Sequence, residues 1–533
     1  MTSKTVSATA LQSMLRDCGE LALLDVREAG EFGESHLLFA TPVPYSRLEL
    51  DIVALVPRRS TRIVLCDDGE SDVAARAATR LEALGYSAVQ ILEGGTRAWA
   101  AAGFTLFAGV NVPSKLFGEL VEHEYHTPRV TVTELTRMKA AGEDFVIVDG
   151  RPFTEYQKMN IPGGICCPNA ELPYRIGEIV KNPNTKVIVN CAGRTRSILG
   201  AQTLINFGMA NPVYALENGT QGWVLADMQL ERGASRRYPD RINDRDLPRL
   251  QEQAKALAER HGVRTVSANE VDGWLRDGGR TTYLLDVRTP EEYQAGSLPG
   301  ALYAPGGQLV QATDQWVGVR NARIVLLDSE GVRAPVVASW LKQLGCDVSV
   351  LEGGVHASVA AQTASPAQLP VLQEISAAEL KRMMSDGAAS VVDVGSSTRF
   401  RGAHIPGSRW SIRSRVVSDV ASGASLTHPT KTDSVTLVAD DPNVARLAAI
   451  DLAEAGVKDV KVLAGGLAAW TKAGYATEAS PDVPPDDDCI DYLFFVHDRH
   501  AGNLAAMRQY LAWETGLIAQ LDTEDRKLFR VGV

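Results

Sequence analysis

The sequence predicts an α/β protein: four successive units, each with parallel strands and flanking helices, then a helical tail. Three observations carry that expectation. A short apolar run ending in aspartate occurs four times: Leu24-Asp25-Val26-Arg27, Val148-Asp149-Gly150-Arg151, Leu285-Asp286-Val287-Arg288 and Val392-Asp393-Val394-Gly395. A glycine-rich phrase closes each unit: Leu92-Glu93-Gly94-Gly95, Leu216-Glu217-Asn218-Gly219, Leu351-Glu352-Gly353-Gly354 and Leu463-Ala464-Gly465-Gly466. Between them, strand-like runs alternate with helical segments, the pattern of a parallel sheet with helical crossovers.

The four aspartates lie 124, 137 and 107 residues apart, which is domain spacing rather than the 20–50-residue period of a solenoid. A length of 533 residues also asks for several cores. Each aspartate ends a β-branched or leucine run, as a strand buried on both faces does. Pro162-Gly163, Pro299-Gly300 and Pro406-Gly407 mark turns in three units. Trp99, Trp223 and Trp470 follow the closing glycines at one offset, and Ser358 stands there in the third unit.

Composition narrows the function classes. A net charge of −11 argues against nucleic-acid and anionic-membrane partners, so an anionic substrate would need a local basic pocket. No apolar run is long enough to span a bilayer, and Met1–Thr5 leads into an amphipathic stretch rather than a signal peptide, so a cytoplasmic address is expected. Seven cysteines, with no C-x2-C pair, suit reduced thiols better than a disulfide framework or a zinc site. No metal and no cofactor is expected, since neither a phosphate-binding glycine loop nor a histidine pair is present.

The order of these motifs, an Asp-x-Arg after a strand, a Pro-Gly turn, a strand-loop-helix and a Gly-Gly-x-x-x-Trp close, resembles the rhodanese domain. The resemblance covers four units at 5–107, 127–232, 262–362 and 371–478, and implies in each a small parallel sheet flanked by helices. Residues 108–126 are expected as an ordered arm, and 478–488, rich in proline and aspartate, as a linker. The remaining 489–533 form the expected helical tail. Leu504, Met507, Leu511, Ile518 and Leu521 make a heptad-like stripe on one helix there. That stripe would dock on the protein's own core or form a homodimer contact.

Chemistry is expected in the second unit. Lys186–Asn190 reads as a strand ending at Cys191, followed by Ala192-Gly193-Arg194-Thr195-Arg196, with Ser197 opening a helix. A cysteine so placed faces loop N–H groups and the positive end of a helix dipole, which favour a thiolate and an adjacent anion. Arg194 and Arg196 add two charges. The Cys-x4-Arg loop is the length the rhodanese resemblance implies for sulfur transfer. Phosphatases and arsenate reductases related to this fold carry a loop one residue longer. Arginine-bearing loops resemble those that use thiosulfate, although Ala192 and the place of Arg194 depart from a common form. Asp149 and Arg151, at the Asp-x-Arg position, are expected to form a supporting ion pair.

The other units fail the same requirement. Unit one offers Cys66 followed by Asp67, Asp68, Glu70 and Asp72; unit three has Asp328 and unit four Ala439 at the cysteine position. Units one, three and four are therefore expected to be inactive, with Cys66 a structural thiol or a secondary sulfur acceptor. Cys166-Cys167 would be buried thiols or would resolve a persulfide. The resemblance implies a thiosulfate sulfurtransferase: Cys191 takes the outer sulfur of thiosulfate, with the sulfonate held by Ala192–Arg196, and passes it to cyanide or a thiol. The alternatives are a persulfide carrier or scaffold with inert domains, and a phosphatase or arsenate reductase.

Overall fold

The computed structural model describes residues 4–360, 367–421 and 434–532. The expected end of the third unit at 362 lies outside them, as do Met1–Ser3 of the N-terminal stretch.

Each repeat forms a five-stranded sheet with the same order, in which the first strand of the repeat pairs with the fifth, then come the fourth, second and third. In the second repeat these strands are Arg129–Val130, Val213–Leu216, Lys186–Asn190, Phe145–Asp149 and Ile165–Cys166, all paired in parallel. Successive side chains of a strand point to opposite faces. Val148, Val187 and Val189 accordingly meet Ala201 and Leu204 in one core. Ile147 and Ile188 meet Leu216 and Trp223 in another. Apolar residues on both faces give the two central strands the β-branched runs Val146-Ile147-Val148 and Val187-Ile188-Val189, without polar alternation.

The closing glycines have a steric reason. At Gly219, with φ of 53°, a Cβ would stand 2.2 Å from the carbonyl oxygen of Cys191. Gly95, Gly354 and Gly466 meet Asp67, Asp328 and Ala439 in the same way, at 2.4, 2.0 and 2.4 Å. The chain must pass directly under the loop that follows the fourth strand, and only glycine leaves room at positive φ. In repeats one, two and four the tryptophan four residues on donates its ring N–H to a carbonyl six residues further along, as Trp223 does to Gln229 at 2.9 Å.

Contacts divide the chain into two compact units. Repeats one and four make up most of one; repeats two and three, the segment between repeats one and two, and the chain from Phe495 onward make up most of the other. The expected tail is therefore not one element. Cys489–Leu493 belongs to the first unit, where Ile490 accepts the N–H of Gly30 at 2.7 Å and Leu493 packs on Gly33. The rest belongs to the second. The expected single stripe also differs: the helix spans Leu504–Gly516, Leu504 is exposed, and Met507, Tyr510 and Glu514 form the buried face. No helix among the described residues is long and apolar enough to cross a membrane.

Candidate active site

Cys191 follows the last residue of the strand Lys186–Asn190, at the centre of the second sheet. The helix after it begins at Thr195, two residues earlier than the sequence suggests, so Thr195 and Arg196 already lie in its first turn. Ser197 Oγ is 3.1 Å from Cys191 Sγ and is placed to donate to it. The sulfur thus sits at the N-terminal end of a twelve-residue helix, where free N–H groups and the macrodipole favour negative charge. Cys191 is 2% exposed.

A polar frame holds the loop from below. Asn169 Nδ2 donates to the Arg196 carbonyl at 2.9 Å. Its Oδ1 comes 2.1 Å from where a Cβ on Gly150 would stand. That explains why the second repeat alone has glycine where the others have Val26, Val287 and Val394. Asp149 and Arg151 form a buried two-point ion pair, 2.9 and 2.7 Å, and Asn190 Nδ2 reaches the same aspartate at 3.2 Å. Arg151 also donates to the Met159 carbonyl at 2.6 Å, so the pair ties the strand end to the segment after the next helix.

The two loop arginines point to partners that spacing did not reveal. Arg194, expected to help hold an anion, is buried and makes a two-point pair with Glu119 at 2.7 and 2.8 Å, and a further bond with Glu122. Burial raises the Glu119 carboxyl to about 7 despite the opposing pull of Arg194. Arg196 pairs with Glu155 at 2.7 and 2.8 Å and donates to Gln308 of the third repeat at 3.0 Å. Burial would raise Glu155, but Arg196, by charge and hydrogen bonding, outweighs it and holds that carboxyl at about 2. The positive charge expected in the loop is largely matched by carboxylates.

Two segments outside the repeats complete the frame. The helix Val112–Tyr125, expected only as an ordered arm, supplies Lys115, Glu119 and Glu122. The helix Leu504–Gly516 supplies Glu514, whose Oε1 accepts from Thr195 Oγ1 at 2.6 Å. None of these acids carries a motif in its own stretch of sequence. Only the unusual burial of charge on helices outside the repeats signals them, and that is visible in the fold alone.

The four loops can now be aligned by their bonds. The residue after the recurring aspartate donates its N–H to the last residue of the fourth strand: Gly150 to Asn190, Val287 to Leu327, Val394 to Val438 and Val26 to Cys66. Cys66 therefore matches Asn190, and the position of Cys191 falls on Asp67 in repeat one, Asp328 in repeat three and Ala439 in repeat four. This corrects the placement of Cys66 at the cysteine position. It ends a strand, fully buried, and burial with the nearby aspartates pushes its thiol well up.

The aspartates at that position fill their own loops. Asp328 accepts from the N–H groups of Gly331, Val332 and Ala334 at 2.8, 3.0 and 2.8 Å. Asp67 accepts from Gly69 and Ala74 at 2.9 and 3.1 Å and from Ser71 Oγ at 3.2 Å. The same backbone that surrounds the Cys191 sulfur closes on a side-chain carboxylate in repeats one and three.

Cys166 and Cys167 are both fully buried, and burial raises both thiols. Cys166 packs with Tyr156 and Ala234, whereas Cys167 lies in the main core with Val148 and Leu172. They serve packing rather than display a thiol.

The repeated architecture and its loop define a family. The model for the rhodanese-like domain matches residues 7–102, 131–226, 267–361 and 376–473, and the chain belongs to that family. Its fold is matched over its whole length by the crystal structure of thiosulfate sulfurtransferase from Pseudomonas aeruginosa. That structure is 42% identical, covers 99% of both chains and has a TM-score of 0.90. A curated relative, the HTH-type transcriptional regulator Rv0324 of Mycobacterium tuberculosis, is 33% identical over 105 residues. The match takes in 20% of this chain and 45% of that protein, so the chain spans less than half of the regulator's length.

Proposed function

We propose that the protein is a thiosulfate sulfurtransferase working through a persulfide on Cys191. The observation that carries this reading is the seat of Cys191: of the four equivalent positions, only this one has a thiol, set at a helix N-terminus with Ser197 Oγ 3.1 Å from Sγ. The full-length similarity to the Pseudomonas aeruginosa thiosulfate sulfurtransferase supports the choice of donor.

The Cys191 thiolate attacks the outer sulfur of thiosulfate. A new S–S bond forms, the old one breaks, and sulfite leaves with its electron pair. Loop N–H groups and the helix N-terminus stabilise the departing charge, as preorganised donors do in other sites. Cyanide or a thiolate then attacks the outer sulfur of the persulfide and returns Cys191 as thiolate, which makes the kinetics ping-pong. Arg194 acts on this site by fixing the loop to the helix Val112–Tyr125. Arg196 acts through its field and through Nε, which has no partner among the described residues, whereas the matching Nε of Arg333 holds Glu330 at 2.7 Å. Ala192, Gly193 and Thr195 contribute backbone rather than side-chain donors, and Asp149 with Arg151 supports the strand end. The protein works in the cytoplasm and without a resident cofactor on this reading.

Adding thiosulfate to the reduced protein should give a mass increase of about 32 Da, one sulfur atom, on the peptide holding Cys191. No adduct, or an adduct confined to another cysteine, overturns the reading. A persulfide carrier is the second reading, favoured by the closed loops of repeats one and three. Turnover with thiosulfate and cyanide alone separates the two, since a carrier would stop after one sulfur.

A further inference from the structure

The helix Leu504–Gly516 lies outside all four repeats, yet one of its side chains is built into the catalytic loop. Glu514 has no solvent exposure. Its Oε1 accepts from Thr195 Oγ1 at 2.6 Å and lies 3.7 Å from Lys115 Nζ. Its Oε2 has no partner among the described residues and stands 3.2 Å from where a Cβ on Gly193 would be, with Tyr510 at 3.3 Å. On the other side of Thr195, a Cβ on Gly118 would stand 2.7 Å from Thr195 Cγ2. Thr195 is therefore gripped between two helices that belong to no repeat.

Thr195 is the first residue of the helix whose N-terminus faces the sulfur. The cap position is Arg194, whose side chain caps nothing, and the Thr195 hydroxyl is spent on Glu514 rather than on the helix backbone. A buried carboxylate oxygen without a partner costs stability, so this contact does more than fill space. We propose that Glu514 is a positioning residue: by holding Thr195 and closing over Gly193, it keeps the N–H groups of residues 192–197 aimed at the Cys191 sulfur. The inference rests on the reading of Cys191 as the sulfur carrier, and it makes the C-terminal segment part of the active site rather than an appendage. The competing reading is that Glu514 merely docks the tail.

Four full-length variants test this: Glu514→Ala, Glu514→Gln, Thr195→Val and the pair Thr195→Val/Glu514→Ala. Two quantities are measured, kcat/KM for thiosulfate and hydrogen exchange of the peptides covering 191–199 and 504–516. Glu514→Ala and Thr195→Val should each lower kcat/KM roughly tenfold, a change worth about 1.4 kcal/mol, and speed exchange in the loop peptide. Glu514→Gln keeps an acceptor for Thr195 and should stay within about threefold of wild type, with the loop still protected. The pair should lose no more than the worse single variant, because both changes break one contact.

A wild-type kcat/KM in Glu514→Ala, or losses that multiply in the pair, overturn the inference. So does faster exchange in the tail peptide with an unchanged loop peptide, which would mark a docking contact only. If Cys191→Ser still turns over thiosulfate, the sulfur-carrier reading fails instead. The exchange measurement would then still judge whether Glu514 orders the loop.

Discussion

The loops Cys191–Arg196 and Asp328–Arg333 start at equivalent strand ends and finish on equivalent arginines, but they differ at two positions that decide what each can do. At the first, a thiol faces the ring of N–H groups in one loop, and in the other the Asp328 carboxylate accepts three of them. At the third, Gly193 offers no acid to Arg196, whereas Glu330 binds Arg333 at Nε and Nη2, both 2.7 Å. The final arginine survives in both. Arg196 spans Glu155 and Gln308; Arg333 spans Glu292 and Glu171, the residues that match them in the opposite repeat. An arginine at the end of this loop is thus a fastening between repeats two and three before it is anything else. The backbone makes an anion cradle in either case; two side chains decide whether it stays open for a substrate or closes on itself.

The largest effect should come from making the catalytic loop a copy of its counterpart. Cys191→Asp should lose sulfur transfer altogether, to below about one-thousandth of wild type, because no residual nucleophile takes the place of the thiolate. Unlike Cys191→Ser, which should be equally inactive, it should also gain thermal stability as the carboxylate collects the loop N–H groups. Thiocyanate formation from thiosulfate and cyanide measures the first, and a thermal melt the second. An inactive Cys191→Asp protein that melts lower than Cys191→Ser would break the comparison, since the loop would then not accept a carboxylate as Asp328 is accepted.

Much of this site could be read from residue order. The recurring Asp-x-Arg, the closing glycines and the Cys-x4-Arg count led to the family, the repeat number and the loop. Those features are local, set by strand ends, tight turns and a helix start. What could not be read was every partner from a distant segment. Arg194 looks like a free cation until Glu119 and Glu122 arrive from the helix Val112–Tyr125. Glu514 is more than three hundred residues from the hydroxyl it holds. By sequence Cys66 takes the place of Cys191, one position out of register, because a cysteine beside a loop of about the right length matches the motif better than Asp67 does. The bond from Val26 to Cys66, and the approach of Gly95 to the Asp67 carbonyl, restore the register.

Arg333 and Arg196 should differ in what their loss costs. Arg333 is fully buried and answers carboxylates from Glu171, Glu292 and Glu330, so Arg333→Met strands charge in the interior. The expected destabilisation is about 3–5 kcal/mol, the range for breaking a buried ionic group by removing one partner. Arg196→Met leaves Glu155, whose side chain is 34% exposed, and the neutral Gln308, and should cost about 1–2 kcal/mol. Chemical unfolding of the two variants side by side measures the gap. Equal losses would mean that the two arginines fasten the repeats alike and that the extra acid at position 330 adds nothing. Asp328→Ala follows in size, at about 1–3 kcal/mol for three N–H groups left without an acceptor. It should leave sulfur transfer near wild type, because no thiol sits in that loop.

The smallest effect is on acid stability, and it tests whether the two fastenings are electrostatically alike. Glu155 and Glu292 are both held at about 2, below the ordinary 4.5, because the pull of Arg196 or Arg333 overcomes burial. A carboxylate whose folded value is depressed adds stability that is complete above its unfolded value and is lost as pH falls toward the folded one. Both pairs should therefore contribute fully above about pH 4.5 and fade between there and about pH 2. Glu155→Gln and Glu292→Gln should each flatten the fall of melting temperature over that window while leaving its slope above pH 5 unchanged. The Glu292 variant should also start from a lower plateau, since Glu292 closes the cap at Thr289 at 3.0 and 2.9 Å as well as binding Arg333. A Glu292→Gln protein with the wild-type slope would show that Arg333 is satisfied by Glu330 and Glu171 without it. The closed loop would then hold its arginine through the acid at position 330 rather than through the fastening it shares with the catalytic one.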